Sequence, residues 1–405
     1  MSISLEPTGV IDIGSFQTKF IIFAIKNSEV EILSKSILNT EGIKKGIITD
    51  LERLGKIITE VIGKAEDEAN IQIKNIYLSP NPKNIFSTNF TYSKNIGGYE
   101  IEKEKDVQFL INAGINLFRG LNSDTNIIHL FNLNLRIDKN NLIENPIGLV
   151  ADSLEGDLHI IFCKKNFYIN YQKAITKTYL KLEKIIYSPY VLGLAGFVES
   201  PLSDSIMVID FGHETTSVSI FKNGNFLFAT SIPIGSWHVT NDISKALNLN
   251  IRIADNLKIN NSFCGLLSEN LYPNYLESEN LGIKSYKKVS NNILNKIVTS
   301  RLEEIFDFLN KELSYFKINE KIFNKILITG EGSKIKGFED LLKKKLCINS
   351  LSIEKFDLKL KKGMEDNYDV CLSIINYLKN SYNKEIPGFL KTKKNFFEKF
   401  YSLFS

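Results

Sequence analysis

The chain has 405 residues, enough for two or more domains, and 43% of them are hydrophobic, so it can bury full cores. Its formal net charge of +4 is too small to indicate a nucleic-acid partner. The four cysteines lack metal-ligand spacing and are predicted to be reduced core residues. No signal peptide and no membrane-spanning apolar run are visible, so we expect the body of the protein in the cytoplasm.

The first predicted element is a hairpin near the N-terminus. An apolar run ends in Asp12, a turn with Gly14 and Ser15 follows, and Lys19 leads into a second apolar run. This pattern predicts a strand, a tight turn and a strand. One Asp-x-Gly turn is weak evidence for a site, because Asp and Gly favour turns for conformational reasons alone.

The next segments predict a third strand at 30–36, a loop at 40–50, a helix at 51–70 and a strand at 73–78. A shift in composition then indicates a small α+β module, which we expect to make contacts rather than to carry chemistry. Its predicted strands are 86–92, 127–137, 142–150 and 158–163, and its predicted helix is 105–118. Residues 165–186 predict a helix and a strand of the first domain, and 190–197 an interdomain helix.

The second half opens on a hairpin like the first. An apolar run ends in Asp210, and Gly212, Thr215 and Thr216 precede a second apolar run. Two such hairpins about 200 residues apart indicate an internal duplication with a ligand between the halves. Later predicted elements are helices at 241–247, 253–259, 291–316, 338–346 and 369–379, and a strand at 326–329 that enters a turn with Gly330, Gly332 and Ser333.

The C-terminal residues have a different composition. Residues 380–394 are polar and predict a tether, whereas 395–405 are rich in large apolar side chains. At helical spacing one face carries Phe396, Phe397, Phe400, Leu403 and Phe404, with Lys394 and Lys399 beside them. We expect a helix that lies on a membrane surface. The alternative is a helix docked on the protein's own core.

Three motifs together resemble a known superfamily. They are Asp-x-Gly-Ser with a following lysine at 12–19, Asp-x-Gly-x-x-Thr-Thr at 210–216, and Thr-Gly-x-Gly-Ser at 329–333. They are similar to the phosphate and adenosine motifs of the actin, Hsp70 and sugar-kinase superfamily. Within it the chain resembles the FtsA family most, on the segments 41–50, 145–149, 232–243 and 298–306, and the likeness covers nearly the whole chain.

The resemblance implies an α/β fold with two duplicated actin-like (ribonuclease H-like) domains around a nucleotide cleft. It also implies an inserted α+β subdomain, called 1C in the family, and a C-terminal amphipathic helix. Domain 1A is expected at 1–82 and 163–200, with the inserted subdomain at 83–162 between its two parts. Domain 2A is expected at 201–240 and 323–379, with domain 2B at 241–322 between its two parts. The tether is expected at 380–394 and the membrane helix at 395–405.

The resemblance also assigns roles to residues. ATP would bind with Mg²⁺, which Asp12 and Asp210, the catalytic pair of the family, would hold through water. Gly14, Ser15, Gly212, Thr215 and Thr216 would donate hydrogen bonds to phosphates, and Lys19 would pair with them. Asp255 and Lys258 would contact the ribose, and Gly330, Gly332 and Ser333 would let the adenosine lie against the backbone.

The sequence departs from the family pattern at several positions. Glu214, Glu331 and Ser236 stand where the family prefers glycine, so either Glu214 points away from the nucleotide or binding is weaker. Ser188 precedes Pro189 where Hsp70-like enzymes carry a carboxylate or amide that positions water. We therefore expect ATP binding with slow or absent hydrolysis.

The implied function is a cell division protein that forms filaments and anchors the FtsZ ring to the cytoplasmic face of the inner membrane. Arg301 and Lys287 are the candidate contacts for the FtsZ C-terminal peptide, and the inserted subdomain would recruit later division proteins. One alternative is a PilM-type pilus-assembly protein, which would lack the amphipathic tail. A small-molecule kinase on the same fold is a further alternative, although no second-substrate pocket is evident.

Overall fold

We describe a computed structural model of the chain. It covers residues 5–44, 46–139, 141–200, 205–222, 224–264, 275–276, 289–315, 323–347, 351–358, 360 and 368–380. Within these residues no helix is both long and apolar enough to cross a bilayer.

The first 200 residues contain the following elements in chain order. They are β1 (Leu5–Ile13), β2 (Gln17–Lys26), β3 (Glu29–Asn39), β4 (Ile43–Lys44), β5 (Ile47–Ile48), α1 (Leu51–Ala69), β6 (Asn75–Pro80), β7 (Ile85–Glu100), α2 (Phe109–Leu121), β8 (Thr125–Ile137), β9 (Asn141–Ile143), β10 (Val150–Lys164), α3 (Lys165–Thr176), β11 (Lys181–Ile185) and α4 (Ser188–Val198).

The described residues of the second half form a similar series of strands and helices. Its elements are β12 (Ser205–Phe211), β13 (Thr216–Lys222), β14 (Asn225–Ile232), α5 (Ser236–Leu247), α6 (Ile251–Asn256), β15 (Tyr275–Leu276), β16 (Val289–Ser290), α7 (Asn291–Tyr315), β17 (Lys325–Thr329), α8 (Phe338–Lys345), β18 (Ser352–Lys355) and α9 (Asp369–Asn380).

Two five-stranded sheets share one topology. The first has the order β11-β6-β1-β2-β3 and the second the order β14-β13-β12-β17-β18. In each sheet, three consecutive strands (β1-β2-β3 or β12-β13-β14) form an antiparallel meander. Two further strands (β6 and β11, or β17 and β18) extend the sheet on the other side of β1 or β12, and they pair in parallel. The predicted duplication is therefore confirmed as a repeated sheet, with each Asp-x-Gly turn at the end of a central strand.

The helix α1 shows how local sequence specifies an element. The Asp50 carboxylate caps its N-terminus by accepting hydrogen bonds from the backbone N–H of Glu52 and of Arg53, each 3.0 Å long. Its apolar face is buried through Leu54, Ile58, Val61, Ile62 and Ala65. The predicted helix is confirmed almost residue for residue.

The inserted subdomain is an antiparallel sheet, β7-β10-β8-β9, with α2 packed on one face around its own apolar core. Two predictions differ from it. Residues 142–150 are not one strand, because β9 ends at Ile143 and a turn with Gly148 at φ +82° follows. The predicted strand 86–92 extends to Glu100, because β10 pairs with it from Cys163 back to Val150.

Smaller differences concern segments in which the structure contains short elements that the sequence pattern did not predict. The predicted loop 40–50 contains the short β4–β5 hairpin. The helix predicted from 105 begins as a wider π-helical segment, Lys103–Gln108, before α2. The predicted helix 253–259 is likewise an α-helix followed by the π-helical segment Leu257–Asn261.

Candidate functional site

The two halves meet at a cavity of about 310 Å³ that both Asp-x-Gly turns line. The structure brings ten of the predicted site residues to its wall. They are Asp12, Gly14, Ser15, Lys19, Asp210, Gly212, Thr215, Asp255, Lys258 and Gly330. Because these residues come from four separated segments, only the packing of the two halves, with α4 and α9 between their sheets, assembles them.

The two turns have the same internal geometry. The N–H of Gly14 donates to the carbonyl of Gln17 over 3.1 Å, and the N–H of Gly212 donates to the carbonyl of Thr215 over 3.0 Å. A Cβ at either glycine would lie about 3 Å from that same carbonyl oxygen. Each glycine therefore keeps its turn tight, and the chain presents two matched loops to one space.

Two carboxyl groups face this cavity with altered acidity. Burial raises the pKa of Asp12 to about 6, against the opposing charge of Lys19, its cross-strand neighbour. Burial, together with the charge of Asp12, raises the pKa of Asp210 to about 7. These carboxyls thus have too little positive charge around them to offset their burial.

A third carboxyl group was not among the predicted site residues. Asp369 begins α9, lines the cavity, and accepts a hydrogen bond from the Thr329 hydroxyl. Its charge contributes to the raised pKa of Asp210. In the sequence it is only an acid at a helix start, where acids are common, so nothing marked it as part of the site.

The opposite wall carries an internal ion pair. The Lys258 ammonium donates to the Asp255 carboxylate over 2.7 Å and to the Thr240 hydroxyl over 2.9 Å, and Thr240 also donates to Asp255. Lys258 is buried, and its ammonium is the main charged partner that lowers the pKa of Asp255. The predicted Asp255–Lys258 pair therefore exists as a polar group at the cavity wall.

Three predicted residues do not reach the cavity. Thr216 is buried in β13 and donates its hydroxyl to the carbonyl of Ile234, and Ser333 donates its hydroxyl to the carbonyl of Gly330. Gly332 is buried, and a Cβ there would lie 2.4 Å from the ring of Phe211. Their hydroxyl groups and small size serve contacts within the protein itself, and their role in ligand contact stays a prediction.

Gly330 is required by the backbone as well as by the cavity. It has φ +89°, and a Cβ there would lie 2.4 Å from the carbonyl oxygen of Phe211. The neighbouring Glu331 is exposed at the cavity rim and pairs with Lys334 at 3.2 Å. The third motif thus closes the cavity wall by packing its backbone on the β12 turn.

The positions that depart from the family pattern lie in different places relative to the cavity. Glu214 is partly buried outside the cavity wall, and its charge acts on His238. Ser236 and Ser188 are buried and line the cavity, and the N–H of Ser236 donates to the carbonyl of Gly212. Glu214 is thus not among the residues that line the cavity, and its effect on nucleotide binding stays a prediction.

Two aromatic residues at the cavity were also not predicted from the sequence. Phe16 and His213 each sit inside one of the two turns, and their rings stack with centroids 4.6 Å apart. Asn81, another unpredicted lining residue, donates its side-chain amide to the Ser15 hydroxyl over 3.0 Å. A hairpin pattern identifies the turn but does not indicate which side chain in it meets the other turn.

Arg301 lies in a separate surface hollow between α5 and α7. It donates to Asp242 over 2.5 Å and to Glu304 over 2.6 Å, and about a quarter of its side chain is exposed. Ile293, Lys296 and Ile297 share this hollow. Lys287, Lys394, Lys399 and the predicted membrane residues Phe396, Phe397, Phe400, Leu403 and Phe404 lie outside the described part of the chain.

Two family models match the chain. The model described as cell division protein FtsA matches residues 207–367, and the model described as the SHS2 domain inserted in FtsA matches residues 83–162. Together they span more than half of the chain.

Curated relatives with this description are similar over most of their length. The chain is 26% identical to the cell division protein FtsA of Buchnera aphidicola subsp. Schizaphis graminum, over 94% of this chain and 92% of that one. It is 24% identical to that of Agrobacterium fabrum, covering 80% of this chain and 73% of the relative. For Neisseria meningitidis the identity is 25%, with 83% and 80% covered.

Solved structures show the fold. A PilM–PilN type IV pilus biogenesis complex superposes with a TM-score of 0.64 at 14% identity, covering 92% of this chain and 99% of that one. MreB5 of Spiroplasma citri bound to ADP superposes with a TM-score of 0.55 at 11% identity, covering 93% and 98%. The architecture is therefore the actin-like one.

Proposed function

The chain belongs to the FtsA family of cell division proteins, and we propose that it binds ATP between its two halves and ties the FtsZ ring to the membrane. The main support for nucleotide binding is the pair of matched Asp-x-Gly turns. They come from equivalent places in two repeated sheets and line one cavity. Paired turns of this kind present backbone N–H groups to an anion.

The residues present fit a magnesium–nucleotide complex. Mg²⁺ prefers oxygen ligands and retains much of its water, so Asp12 and Asp210 would hold it through water molecules. Their raised pKa values indicate that they lack positive charge nearby, which a divalent cation would supply. Lys19 would act on the phosphates as a point charge.

The remaining contacts follow from the wall of the cavity. Ser15 and Thr215 would offer hydroxyl donors to phosphate oxygens, and Gly14 and Gly212, whose N–H groups close the turns, would let the phosphates approach the backbone. Asp255 and Lys258 would face the ribose, and the Gly330 backbone would face the adenosine. Ser188 offers a hydroxyl where a carboxylate or amide would orient an attacking water, so we propose slow hydrolysis or none.

Calorimetric titration with Mg-ATP tests the nucleotide site. The wild type should bind, and Asp210→Ala should weaken binding strongly because one of two carboxylates that hold the cation is removed. Asp152→Ala, which removes an exposed carboxyl of the inserted subdomain, is the matched control and should bind as the wild type does. Absence of binding heat in the wild type would refute the proposal.

For the FtsZ contact we propose the hollow around Arg301. It combines the apolar side chains of Ile293 and Ile297 with the cations of Lys296 and Arg301, which suits an acidic peptide that also carries apolar residues. A carboxylate of the peptide would displace Asp242 or Glu304 from the Arg301 guanidinium, so that one charged hydrogen bond replaces another.

Fluorescence anisotropy with the FtsZ C-terminal peptide tests this contact. Arg301→Glu should abolish binding, whereas Arg252→Glu, which makes the same charge change at an exposed site on α6, should leave it intact. Equal affinities for both variants would place the peptide elsewhere. Filament formation, membrane attachment through 395–405 and recruitment of later division proteins through the inserted subdomain complete the proposed function.

A further inference from the structure

An aromatic contact joins the two turns of the candidate site. The rings of Phe16 and His213 stack with centroids 4.6 Å apart and an angle of 22° between their planes. Phe16 belongs to the β1–β2 turn of the first half and His213 to the β12–β13 turn of the second. This pair, which we name the clasp, is therefore a direct side-chain contact between the two halves.

The clasp lies between the two turns of the proposed phosphate site. Phe16 directly follows Ser15 and His213 directly follows Gly212, so each ring is attached beside the backbone that would hold a phosphate. Both residues line the same cavity as Asp12 and Asp210. A phosphate chain that extends between the turns would therefore lie next to the clasp.

The clasp is an apolar contact and offers phosphate no charge. Burial, with the nearby charge of Lys258, lowers the pKa of His213 to about 4, so the imidazole is neutral in the physiological range. Its ring also contacts Trp237, with ring centroids 5.4 Å apart and 38° between the planes. His213 thus contacts two aromatic rings and carries no charge at neutral pH.

The space beside the clasp is small and negatively charged. The cavity volume of about 310 Å³ lies at the lower end of the range of about 300–1,000 Å³ for small-molecule sites. Asp12, Asp210 and Asp369 face it together with Lys19, while Lys258 and Lys334 are already paired with Asp255 and Glu331. Each added phosphate therefore needs both room and a cation.

We propose that the clasp makes the site discriminate between nucleotides by the length of their phosphate chain. A nucleoside diphosphate fits with the Phe16–His213 stack closed, whereas the third phosphate of a triphosphate must part the two rings. The wild type should accordingly bind Mg-ADP more tightly than a Mg-triphosphate. This inference rests on the proposed nucleotide site and adds a specificity to it.

The test measures dissociation constants for Mg-ADP and for the non-hydrolysable Mg-AMPPNP by calorimetry. Loss of one stacked pair should shift the ratio of the two constants toward the triphosphate by about two- to tenfold. Phe16→Ala and His213→Ala both remove the stack, and His213→Phe restores an aromatic ring without the imidazole. Phe86→Ala, which removes an exposed ring that packs on Phe162 in the inserted subdomain, is the matched control.

Trp237 provides a second readout. It is the single tryptophan of the chain and contacts His213, so its emission should change with AMPPNP and much less with ADP when the clasp is intact. In Phe16→Ala the two nucleotides should give similar emission. Because Phe16 is 44% exposed, its removal should leave the fold intact.

The outcomes separate the two proposals. If the wild type binds neither nucleotide, the nucleotide site is refuted and the clasp with it. If the wild type binds both, but Phe16→Ala and His213→Ala keep the wild-type ratio, the clasp alone is refuted. A shifted ratio in both alanine variants, with wild-type behaviour in His213→Phe and Phe86→Ala, supports the clasp.

Discussion

Replacing Asp210 with asparagine should stabilise the folded chain at pH 8 while it weakens the binding of magnesium–nucleotide. The Asp210 carboxyl is buried beside Asp12 and near Asp369, and these surroundings raise its pKa from 3.8 to about 7. An asparagine has nearly the same shape and carries no charge. It therefore removes the cost of ionising a carboxyl in this place.

The magnitude follows from the pKa. A rise from 3.8 to about 7 means that the folded state binds the proton more tightly than the unfolded state does. The contribution of this one carboxyl to wild-type stability is therefore most favourable below about pH 4 and decreases as the pH rises to 7. At about 1.4 kcal/mol per pH unit, the full loss is about 4 kcal/mol, and contact with cavity water reduces the expected gain of Asp210→Asn to about 2–4 kcal/mol at pH 8.

Urea unfolding followed by circular dichroism measures this gain. Wild type and Asp210→Asn should be compared at several values between pH 5 and pH 8, and the difference in unfolding free energy should shrink as the pH falls below 7. Asp152→Asn, at an exposed site, is the control and should show little difference at any pH. The same samples should be titrated with Mg-ATP.

Two results would refute this reasoning. If Asp210→Asn is less stable than wild type at pH 8, the carboxylate makes favourable interactions that outweigh its burial. If the gain is the same at pH 5 and pH 8, it does not come from the ionisation of Asp210.

Three further predictions concern the ligand and the tail. Glu214→Gly should leave Mg-ATP affinity within about twofold, because Glu214 lies outside the cavity wall, and a tightening beyond tenfold in calorimetry would contradict that placement. Mg-ATP affinity of the wild type should fall as the pH is lowered from 8 to 6, because protons compete with the cation for Asp12 and Asp210, whose pKa values are about 6 and 7; an affinity independent of pH would separate the cation from these carboxyls. Phe400→Glu should abolish sedimentation with anionic liposomes, since burial of one phenylalanine is worth about 1.5–3 kcal/mol. Ser402→Glu, on the opposite face of the expected helix, should still pellet, and equal pelleting of both variants would instead indicate a docked helix.

Local sequence determined the secondary structure best where neighbouring residues carry the interaction. The helix α1 has its cap, Asp50, and its apolar spacing within one short segment, so its bounds could be predicted. Each Asp-x-Gly turn is closed by a hydrogen bond from a glycine to the residue three positions later, so the two hairpins could be predicted as well. Their repetition in the sequence also predicted the duplicated sheets.

Elements that depend on distant partners were predicted less well. The extent of β7 to Glu100 is decided by its pairing with β10, whose first residue, Val150, lies fifty residues later. Thr216 and Gly332 matched a ligand-binding motif, yet one is held by the Ile234 carbonyl and the other by the ring of Phe211. A motif specifies residue types, but packing decides which of them face the cavity.

The composition of the candidate site shows the same division. Its two aspartates and its turn glycines could be identified from the sequence, because a tight turn favours those residue types wherever it lies in the fold. The Phe16–His213 contact and the position of Asp369 are decided by the tertiary structure alone. They join residues about 150 to 200 positions apart in the chain, and such distant residues meet only once the two halves have packed through α4 and α9 and brought their turns together.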